Sequence, residues 1–509
     1  MLKTRAVTVA AITSAAIIGA FAAPAFAGAP LSWTAVTRVS PVNSPYSPGC
    51  AGSTVGTNYP GTEVEPWIAV NPADDGNSIA VWQQDRYSDG GANGLRAAYS
   101  VNNQWLSPIT QPGFSRCAGG TGTAGGFERA SDPWVDFSSD GGVAYFMALA
   151  FDQSADLTNG MTVSRSFDGG AHWEATPTVL KRDTSPNVLN DKNSLTADRF
   201  NPDKAYAIWD RLVFPNERAK GRSFENAGAY YGPTWFTRTA DGGDDWDTAH
   251  IIWDPGQEHH NSGRNDQSIG NQIVQTGDAN HTLVDVFDWI NNDNGGGGKG
   301  YKVAVIRSTD HGATWSGHAT VVARFIPGVV HDPTTGERVR TGDIIPEIAV
   351  DPQAGSGTVY VVWQGASTSS PSSVYFSKST DAGQTWSPPT IINKVVSTQA
   401  FTPSVRVDKN GAITVTYYDF RNDTSSEPLT TDYWSIVSRD DGSTWQESHI
   451  EGPFDHRGAA RARGFFLGDY AGLDAGDNSD VFRAVFGEAT GTFAAPASDI
   501  EESEADEAP

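Results

Sequence analysis

The chain has 509 residues, in which 60 acidic side chains outnumber 35 basic ones and give a formal net charge of −25. A hydrophobic fraction of 38% with 11% aromatic residues predicts a globular protein, and the length allows several ordinary domains or one large all-β domain. The acidic balance argues against a nucleic-acid partner, because phosphate binding requires a basic surface.

Residues 1–27 have the features of a secretory signal peptide. Lys3 and Arg5 precede an apolar run over 6–22, and Ala25-Phe26-Ala27 supplies the small residues of a cleavage site. No later segment has the length of apolar sequence that a membrane span needs. The protein is therefore expected to be secreted. Export favours a disulfide between Cys50 and Cys117, with two free buried thiols as the alternative.

Short apolar strands, each followed by a turn and a second strand, recur along the rest of the chain. Gly, Asn, Asp and Pro punctuate strands of four to eight residues, which predicts an all-β repeat fold. The strand units begin at Glu65, Asp132, Ser194, Ser268, Pro346, Pro403 and Asp469.

A second repeated pattern, Ser/Thr-x-Asp-x-Gly-x-x-Trp, follows these units at a period of about seventy residues. Asp accepts local backbone N–H bonds, Gly supplies a positive φ, and Trp packs beneath the turn, so the pattern predicts a structural hairpin turn rather than a catalytic group. Five intact copies start at Ser166, Thr239, Ser308, Ser379 and Ser438, and a shortened copy spans Ser100 to Trp105.

Four strands per repeat of this length predict a β-propeller over residues 28–490, with seven blades favoured and six as the alternative. The segment Ser32 to Thr37 resembles the strand that follows each repeated Trp, so the N-terminus is expected to complete the last blade and close the ring. Residues 491–509 are acidic and are predicted to form a disordered tail.

The repeated pattern resembles the Asp-box, or BNR, signature of the sialidase-like superfamily of secreted propellers. The resemblance implies a propeller that acts on a glycan. Sialidases of this superfamily bind the substrate carboxylate with three Arg, use a Tyr activated by a Glu as nucleophile, and use an Asp as acid/base. The Arg-Ile-Pro motif of typical bacterial sialidases is missing near the first blade. The nearest match, Arg324-Phe325-Ile326-Pro327, has an extra residue and comes late in the chain.

The propeller topology predicts which face carries the chemistry. If the Asp boxes lie in the turns between third and fourth strands, the loops on the opposite face gather the ligand site, where Arg and carboxylate groups of several blades converge. Candidate substrate-binding residues are Arg86, Arg129, Arg211, Arg421 and Arg463. Candidate catalytic residues are Tyr418 as nucleophile, Glu65 or Glu347 as its base, and Asp85 or Asp132 as acid.

Structural interpretations of the same residues remain open. The Asp-Arg pairs at strand ends are alternatively salt bridges between blades, and Glu65, Asp132 and Glu347 alternatively cap inner strands or line a water-filled channel. Arg457, Arg461 and Arg463 together form the favoured cationic loop. His259-His260 are a candidate base or metal pair, with a solvated loop as the alternative.

No cofactor is predicted. The oxygen-rich run from Asn291 to Asn294, ahead of Gly295–Gly298, would permit structural Ca²⁺.

The functional prediction is a secreted glycoside hydrolase of the sialidase-like type that removes a terminal acidic sugar, sialic acid by default, from extracellular glycans. The expected partner is a glycan or glycoconjugate, and the protein is expected to be a monomer. Two alternatives are a polysaccharide lyase acting on uronate-containing glycans, with His260 or a Tyr as base, and a non-catalytic propeller that binds carbohydrate or protein.

Overall fold

The computed structural model describes residues 28–153, 157–214, 231–258, 266–291, 300–367, 371–424, 426, 429–476 and 478–506. The predicted signal segment, residues 1–27, lies outside the described residues. Helix in the described chain is confined to single turns: α1 (Gly122–Gly125), α2 (Pro255–Glu258), and the 3₁₀ turns Arg116–Ala118 and His456–Gly458. Within those ranges no helix combines the length and apolar character needed to cross a membrane. The all-β prediction is confirmed.

Seven antiparallel strand units follow one another along the chain, and the first two of them are joined in one nine-stranded sheet. The first three units are as follows. Unit 1 contains β3 (Glu63–Val70), β4 (Ser78–Arg86), β5 (Ala92–Val101), β6 (Gln104–Trp105) and β7 (Ile109–Thr110). Unit 2 contains β8 (Arg129–Phe137), β9 (Ala144–Phe151), β10 (Asn159–Ser166) and β11 (Thr178–Asp183). Unit 3 contains β12 (Val188–Ala197), β13 (Ala205–Val213), β14 (Thr234–Thr239) and β15 (His250–Trp253).

The remaining units follow the same order. Unit 4 contains β16 (Gln267–Gln275), β17 (Leu283–Asn291), β18 (Gly300–Ser308) and β19 (Thr320–Phe325). Unit 5 contains β22 (Glu347–Val350), β23 (Val359–Gly365), β24 (Ser373–Ser379) and β25 (Thr390–Ile391). Unit 6 contains β26 (Ala400–Val407), β27 (Ile413–Asp419), β28 (Thr430–Ser438) and β29 (Gln446–Asp455). Unit 7 contains β32 (Gly472–Asp474), β33 (Val481–Ala489) and β34 (Ser498–Asp506), joined by β1 (Ser32–Trp33) and β2 (Thr37–Arg38).

The units stand side by side through their first strands. Each first strand contacts those of the units before and after it, and β32 of unit 7 contacts β3 of unit 1. Every sheet thus has a neighbour on both faces, which is why strands such as β4 and β23 are buried along their whole length. Apolar side chains from adjacent units pack together between the sheets, as in the cluster that joins units 5 and 6.

The repeated Ser/Thr-x-Asp-x-Gly-x-x-Trp segments form the turns between third and fourth strands of units 2 to 6. In unit 5, Asp381 Oδ1 accepts a hydrogen bond from the Thr385 amide at 2.8 Å, and Ser379 Oγ accepts one from the Gly383 amide at 2.9 Å. Trp386 Nε1 donates to the Gly383 carbonyl at 3.2 Å. The Asp carboxylate makes the equivalent amide contact in the other copies, at Asp168, Asp241, Asp310 and Asp440.

The predicted acidic tail is partly wrong, because Ser498–Asp506 is the strand β34. It pairs with β33 on one side and with β1 and β2 on the other, so the N-terminal segment does join the last sheet, as predicted, but at the edge of β34. Arg38 forms an ion pair with Asp499, and Arg483 Nη1 lies 2.7 Å from Glu504 Oε2. Main-chain pairing and these two cations hold a strand whose side-chain composition alone indicates disorder.

The predicted disulfide is confirmed. Cys50 and Cys117 are bonded, with their Cα atoms 5.0 Å apart and 67 positions separating them in the chain. The bond ties the N-terminal loop to the connection between units 1 and 2.

Candidate active site

The first strands share a bulge that takes one side chain out of the strand alternation. The register with the second strand shifts at this point in units 1, 2, 3, 4 and 6. A bulge re-aims a side chain, and a non-glycine residue with positive φ marks a conformation that its surroundings impose. The bulge residues and their φ values are Glu65 (54°), Asp132 (51°), Lys192 (47°), Gly270 (73°) and Thr402 (49°).

Three of these bulge residues, from adjacent units, are charged and meet around one ammonium group. Lys192 Nζ lies 3.4 Å from Glu65 Oε1 and 3.4 Å from Asp132 Oδ2. A third carboxylate, Asp469 Oδ2 from the connection before unit 7, lies 2.7 Å from the same nitrogen. Burial opposes the charge, but the three carboxylates outweigh it and raise the pKa of Lys192 well above its usual value.

Arg340 is the second cation on Asp469. Arg340 Nε donates to Asp469 Oδ1 at 3.0 Å and Nη2 donates to Oδ2, which makes a two-pronged contact. Burial alone would raise the pKa of the Asp469 carboxyl, but Arg340 and Lys192 hold it well below the usual range. The carboxylate of Asp469 is therefore ionised and fixed between two cations.

Glu65 lies behind this contact and is fully buried. Its Oε2 accepts a hydrogen bond from the Gln83 side chain and lies 3.5 Å from Arg86 Nη1. Burial raises the pKa of Glu65 to about 7, against the opposing charge of Lys192. The Arg86 guanidinium lies 4.9 Å from the Phe466 ring centroid. Glu65 thus lies between two cations, Lys192 of the charged cluster and the buried Arg86.

Two long connections outside the repeats cover one side of the cluster. The connection before unit 5 contains β20 (Val330–His331) and β21 (Arg338–Arg340), and the connection before unit 7 contains β30 (Ala460–Arg461) and β31 (Phe465–Phe466). β21 pairs with β31 in parallel, which places Arg340 opposite Phe466. These four strands form one sheet, named here the cap sheet, and it brings Arg340 and Arg463 to the site.

A cavity of about 830 Å³, named here the main cavity, lies between the cap sheet and units 3 and 4. Asp191, Lys192, Arg340 and Arg463 line it and also line a smaller cavity of about 50 Å³ toward units 1 and 2. Arg463 is solvent-exposed and has a φ of 66°. The positive charge of Arg340 lowers the pKa of Arg463 to about 10. The volume of the main cavity is in the range of small-ligand sites.

Asp191 and Asp210 form a pair of carboxyl groups on the wall of the main cavity. They are directly opposed on β12 and β13. Burial, and then the charge of Asp132, raises the pKa of Asp191 to about 6. Burial and the charge of Asp191 raise the pKa of Asp210 well above its usual value. Asp210 Oδ1 lies 3.3 Å from the Gly270 amide, whereas its buried Oδ2 has no hydrogen-bond partner. The pair can hold a proton near neutral pH.

Three aromatic rings pack together next to the charged cluster. Trp67 and Trp134 stack with centroids 3.5 Å apart, and Tyr470 packs edge-on against both. Glu347 lines a small pocket with Trp134, Lys192 and Tyr470, and burial raises its pKa to about 8.

Five of the ten predicted site residues lie in or directly behind this site. Arg463 and Asp132 line cavities, Glu65 and Arg86 support the cluster, and Glu347 borders the small pocket.

The other five are placed elsewhere, and Tyr418 is the clearest correction. It is 3% exposed, its ring packs on Phe401 and Tyr433, and its hydroxyl donates to the Gly487 carbonyl at 2.9 Å. Asp85 binds the Gly61 amide and the Asn93 side chain, both at 3.0 Å. Both residues are therefore structural.

The remaining three arginines form salt bridges; those of Arg129 and Arg211 join neighbouring units, as the alternative interpretation predicts, whereas that of Arg421 lies within unit 6. Arg129 is fully buried against Asp89 at 2.7 Å, Arg211 contacts Asp183 at 2.7 Å, and Arg421 contacts Glu447 at 2.6 Å. Each guanidinium also covers an aromatic ring, namely Tyr87, Trp235 and Trp434.

The three arginines of the predicted cationic loop lie in different surroundings. Arg457 pairs with Asp455 at 2.7 Å and Arg461 with Glu337 at 2.8 Å, so only Arg463 of that loop lines the main cavity. His259-His260 and residues 292–298 lie outside the described residues. In the described chain, no three His, Cys, Asp or Glu side chains form a cluster that could hold a metal ion.

The sequence patterns did not identify three residues of this site, Lys192, Arg340 and Asp191. A signal for Lys192 exists, because Glu65-Pro66-Trp67 and Asp132-Pro133-Trp134 align with Lys192-Asn193-Ser194 at the bulge. No comparable signal exists for Arg340, since its position depends on a strand pair between two distant connections.

Residues 234–453 match the family model of the BNR repeat-like domain. No curated protein matches the chain. Solved structures to which the chain is similar include a Dyadobacter fermentans protein of unknown function (10% identity, 93% of this chain and 99% of that one, TM-score 0.45). Another is a Hadza microbial sialidase (15% identity, 82% of this chain and 74% of that one, TM-score 0.44). A third is an α-L-arabinofuranosidase from Fusarium graminearum (10% identity, 93% of this chain and 97% of that one, TM-score 0.43). The match over residues 234–453 confirms the predicted resemblance to the Asp-box, or BNR repeat, proteins.

Proposed function

We propose that the protein is a glycoside hydrolase of the sialidase-like type that removes a terminal acidic sugar, with sialic acid as the first candidate. The single observation that carries the proposal is the convergence of Lys192, Arg340 and Arg463 with Asp191 on one ligand-sized cavity. Cations of this kind bind a carboxylate, and a carboxyl group that keeps its proton near neutral pH can donate it to a leaving oxygen.

The proposed roles follow from position. Arg463, exposed at the cavity, contacts the substrate carboxylate, while Arg340 and Lys192, both held by Asp469, position the cationic end. Asp191 is the proposed general acid: its proton passes to the glycosidic oxygen as the bond to the sugar breaks, and water then adds to the sugar and returns a proton to the Asp191 carboxylate. Burial, and then the charge of Asp132, keeps the pKa of Asp191 raised, and Asp210, which lies directly opposite Asp191, is the proposed positioning residue.

We also propose that the seven units are the blades of a propeller whose ring closes between units 7 and 1. The support is the unbroken series of first-strand contacts around the molecule and the joining of β1 and β2 to unit 7. An experimental structure at side-chain resolution, with the blades counted, tests this directly; six blades would contradict it.

Secretion is part of the proposal. The disulfide between Cys50 and Cys117 supports it, because such bonds persist in oxidising compartments. Expression of the full chain with N-terminal sequencing of the exported product tests it. We expect a mature N-terminus at Gly28, and a product retained in the cell with its first 27 residues would contradict export.

The activity is tested by release of free sialic acid from a glycoprotein that carries both α2,3 and α2,6 linkages. We expect Asp191→Asn to lower kcat by about 10² to 10⁴-fold and Arg463→Ala to raise KM. The matched control is Arg457→Ala, which removes an arginine of the same connection that pairs with Asp455 and lines neither cavity.

Two outcomes would contradict the proposal. No release of sugar from sialosides or from other acidic glycans by folded protein would discard hydrolysis, and loss of activity in Arg457→Ala equal to that in Arg463→Ala would discard the assigned site. Product mass distinguishes hydrolysis, which adds water, from the elimination of a lyase.

A further inference from the structure

The cap sheet contributes a phenylalanine ring that contacts two cations of the site. The centroid of the Phe466 ring lies 4.3 Å from the guanidinium carbon of Arg340 and 4.9 Å from that of Arg86. Arg340 belongs to β21 of the same sheet, whereas Arg86 ends β4 of unit 1, so one ring contacts cations from two separate parts of the chain. The face of an aromatic ring is partly negative and attracts a guanidinium group.

Phe466 itself is enclosed. It is 0% exposed and packs with Val64 and Ala462. It lines neither the main cavity, nor the smaller cavity beside it, nor the small pocket at Glu347. Arg340, in contrast, lines both of the first two. The ring can therefore act on a bound ligand only through the side chains that it contacts.

The main chain on both sides of Phe466 fixes the position of its ring. Phe466 pairs with Arg340 between the parallel strands β21 and β31, and with Ala460 between the antiparallel strands β30 and β31. The carbonyl of the next residue, Leu467, accepts a hydrogen bond from the Glu65 amide at 3.1 Å. The ring is thus held by two neighbouring strands and by a main-chain contact with unit 1.

The two guanidinium groups repel each other within a cluster that holds charges of both signs. Burial lowers the pKa of Arg86, and the positive charge of Arg340 lowers it further, against the charge of Glu65. The other charged groups of the cluster are Asp132, Asp469 and Lys192. The adjoining main cavity adds the carboxyl groups of Asp191, Asp210 and Asp343 and the cations Arg338 and Arg463. These carboxyl groups are at least as numerous as the cations, so the ring is not needed to neutralise charge.

Hydrogen bonds fix only part of each guanidinium group. Arg340 Nε and Nη2 donate to Asp469, whereas the enclosed Nη1 has no hydrogen-bonding oxygen within the described residues. Arg86 Nη1 donates to Gln83 Oε1, and the enclosed Arg86 Nε likewise has none in the described chain. In both side chains the guanidinium carbon lies over the Phe466 ring. A ring face is a weak acceptor for such N–H groups and limits the directions that they can take.

We propose that Phe466 is a positioning residue whose ring holds the Arg340 guanidinium in its two-pronged contact with Asp469, beside Arg86, and so fixes the cation that lines both cavities. The inference deepens the proposed function and rests on it in one respect, namely that Arg340 helps to form the cationic end of the substrate site. Without the ring, Arg340 can turn away from Asp469, and substrate binding weakens before the chemical step slows.

Nuclear magnetic resonance of the mature, full-length protein tests the inference without any turnover. Isotope-labelled arginine gives a separate Nε–H signal for each side chain whose proton exchanges slowly, and the signal missing from Arg340→Lys identifies Arg340. We expect this signal to be sharp in the wild type, because Arg340 Nε donates to Asp469 Oδ1 at 3.0 Å. Phe466→Leu keeps an apolar side chain without a ring and is expected to broaden or abolish the signal through faster exchange with water.

Two further variants separate the contact with the cations from packing. Replacement of Phe466 by a trifluorinated phenylalanine keeps the shape of the ring but withdraws electrons from its face, so it should also broaden the Arg340 signal. Phe482→Leu is the matched control, because Phe482 is likewise 0% exposed and packs in the core beside unit 7. It should leave the Arg340 signal unchanged.

The sugar-release assay adds a kinetic measurement. Phe466→Leu is expected to raise KM by about 3- to 30-fold, the range that a cation–π contact supplies, with little change in kcat. A variant that merely lost folded protein would instead show a lower apparent kcat at an unchanged KM.

An Arg340 signal as sharp in Phe466→Leu as in the wild type would overturn the inference, and so would an equal broadening in Phe482→Leu. An unchanged KM in an active Phe466→Leu protein would also overturn it. Failure of the proposed function is distinguishable from these results. If the wild type hydrolyses no acidic glycan and the Arg340 signal still responds as expected, the hydrolase is discarded while Phe466 remains the residue that positions Arg340.

Discussion

The Asp-box turns and the bulges of the first strands are both repeated around the molecule, but they repeat different things. The turns keep the same residues and the same hydrogen bonds, as Asp168 and Asp381 show. The bulges keep a positive φ and change the side chain, from Glu65 to Lys192 to Thr402. A repeat that conserves its side chains maintains the fold, whereas one that conserves only its backbone can present different chemistry in each unit.

The largest expected change in unfolding free energy comes from replacing a charged bulge residue. Lys192→Met leaves Glu65, Asp132 and Asp469 around an apolar side chain, and an uncompensated buried charge costs about 3–5 kcal/mol of unfolding free energy. The loss should shrink as the pH falls and the carboxylates take up protons. Denaturant unfolding at several pH values measures it.

Lys409→Met is the control for this variant, because Lys409 forms an exposed pair with Asp480 at 3.2 Å. It should change stability by less than about 1 kcal/mol. A Lys192→Met protein as stable as the wild type would contradict the assignment of Lys192 to a buried charged cluster.

The two repeated features should respond to pH with opposite signs. The pKa of Glu65 is raised from 4.5 to about 7 by burial, so its contribution to stability is fully present below about pH 4.5 and is lost as the pH rises through 7. The effect is at most about 3 kcal/mol. Glu65→Gln should flatten the fall in unfolding free energy over this range, and an unchanged pH profile would show that Glu65 does not titrate there.

The Asp-box carboxylates titrate in the other direction. Although partial burial opposes it, hydrogen bonds from Thr385 lower the pKa of Asp381, so its stabilising contribution is lost as the pH falls below its usual value. Asp381→Ala removes bonds from the Thr385 and Gln384 amides and should cost about 1–2 kcal/mol at neutral pH without affecting activity. Thermal unfolding together with the sugar-release assay measures both, and a loss of activity at unchanged stability would contradict the structural role.

The smallest expected effect is at the uncharged bulge. Thr402 has a positive φ of 49°, and its amide donates to Gln364 Oε1 at 2.9 Å, a bond that glycine retains. Thr402→Gly relieves backbone strain but adds freedom to the unfolded chain, so the unfolding free energy should change by less than about 1 kcal/mol. Denaturant unfolding measures it. A loss of several kcal/mol would show that the Thr402 side chain, rather than its backbone, is what the bulge requires.

Half of the candidate site could be predicted from the sequence, and the residues that failed share a physical cause. Arg211 and Arg421 lie at or near the ends of second strands, as Arg86 does. Their acidic partners, Asp183 and Glu447, stand on outer strands, whereas the partner of Arg86 is Glu65 on a first strand. Tyr417 and Tyr418 are adjacent on β27 and both are buried, because the sheet of unit 6 is covered on both faces. Which neighbour captures a side chain depends on distances that the linear pattern does not contain.

Local chemistry in the chain determines the strands, the Asp-box turns and the seven strand units, because alternation, turn residues and the recurring Trp act within about twenty residues of one another. The sequence by itself also indicated the pairing of its two cysteines and the joining of the N-terminal segment to the last sheet. Only the tertiary structure decided that three bulge residues share one ammonium group and that Arg340 and Arg463 meet above them. Those contacts depend on the order of neighbouring units, which brings Asp132 and Lys192 together across 60 positions, and on the parallel pairing of β21 with β31, which joins residues more than a hundred positions apart.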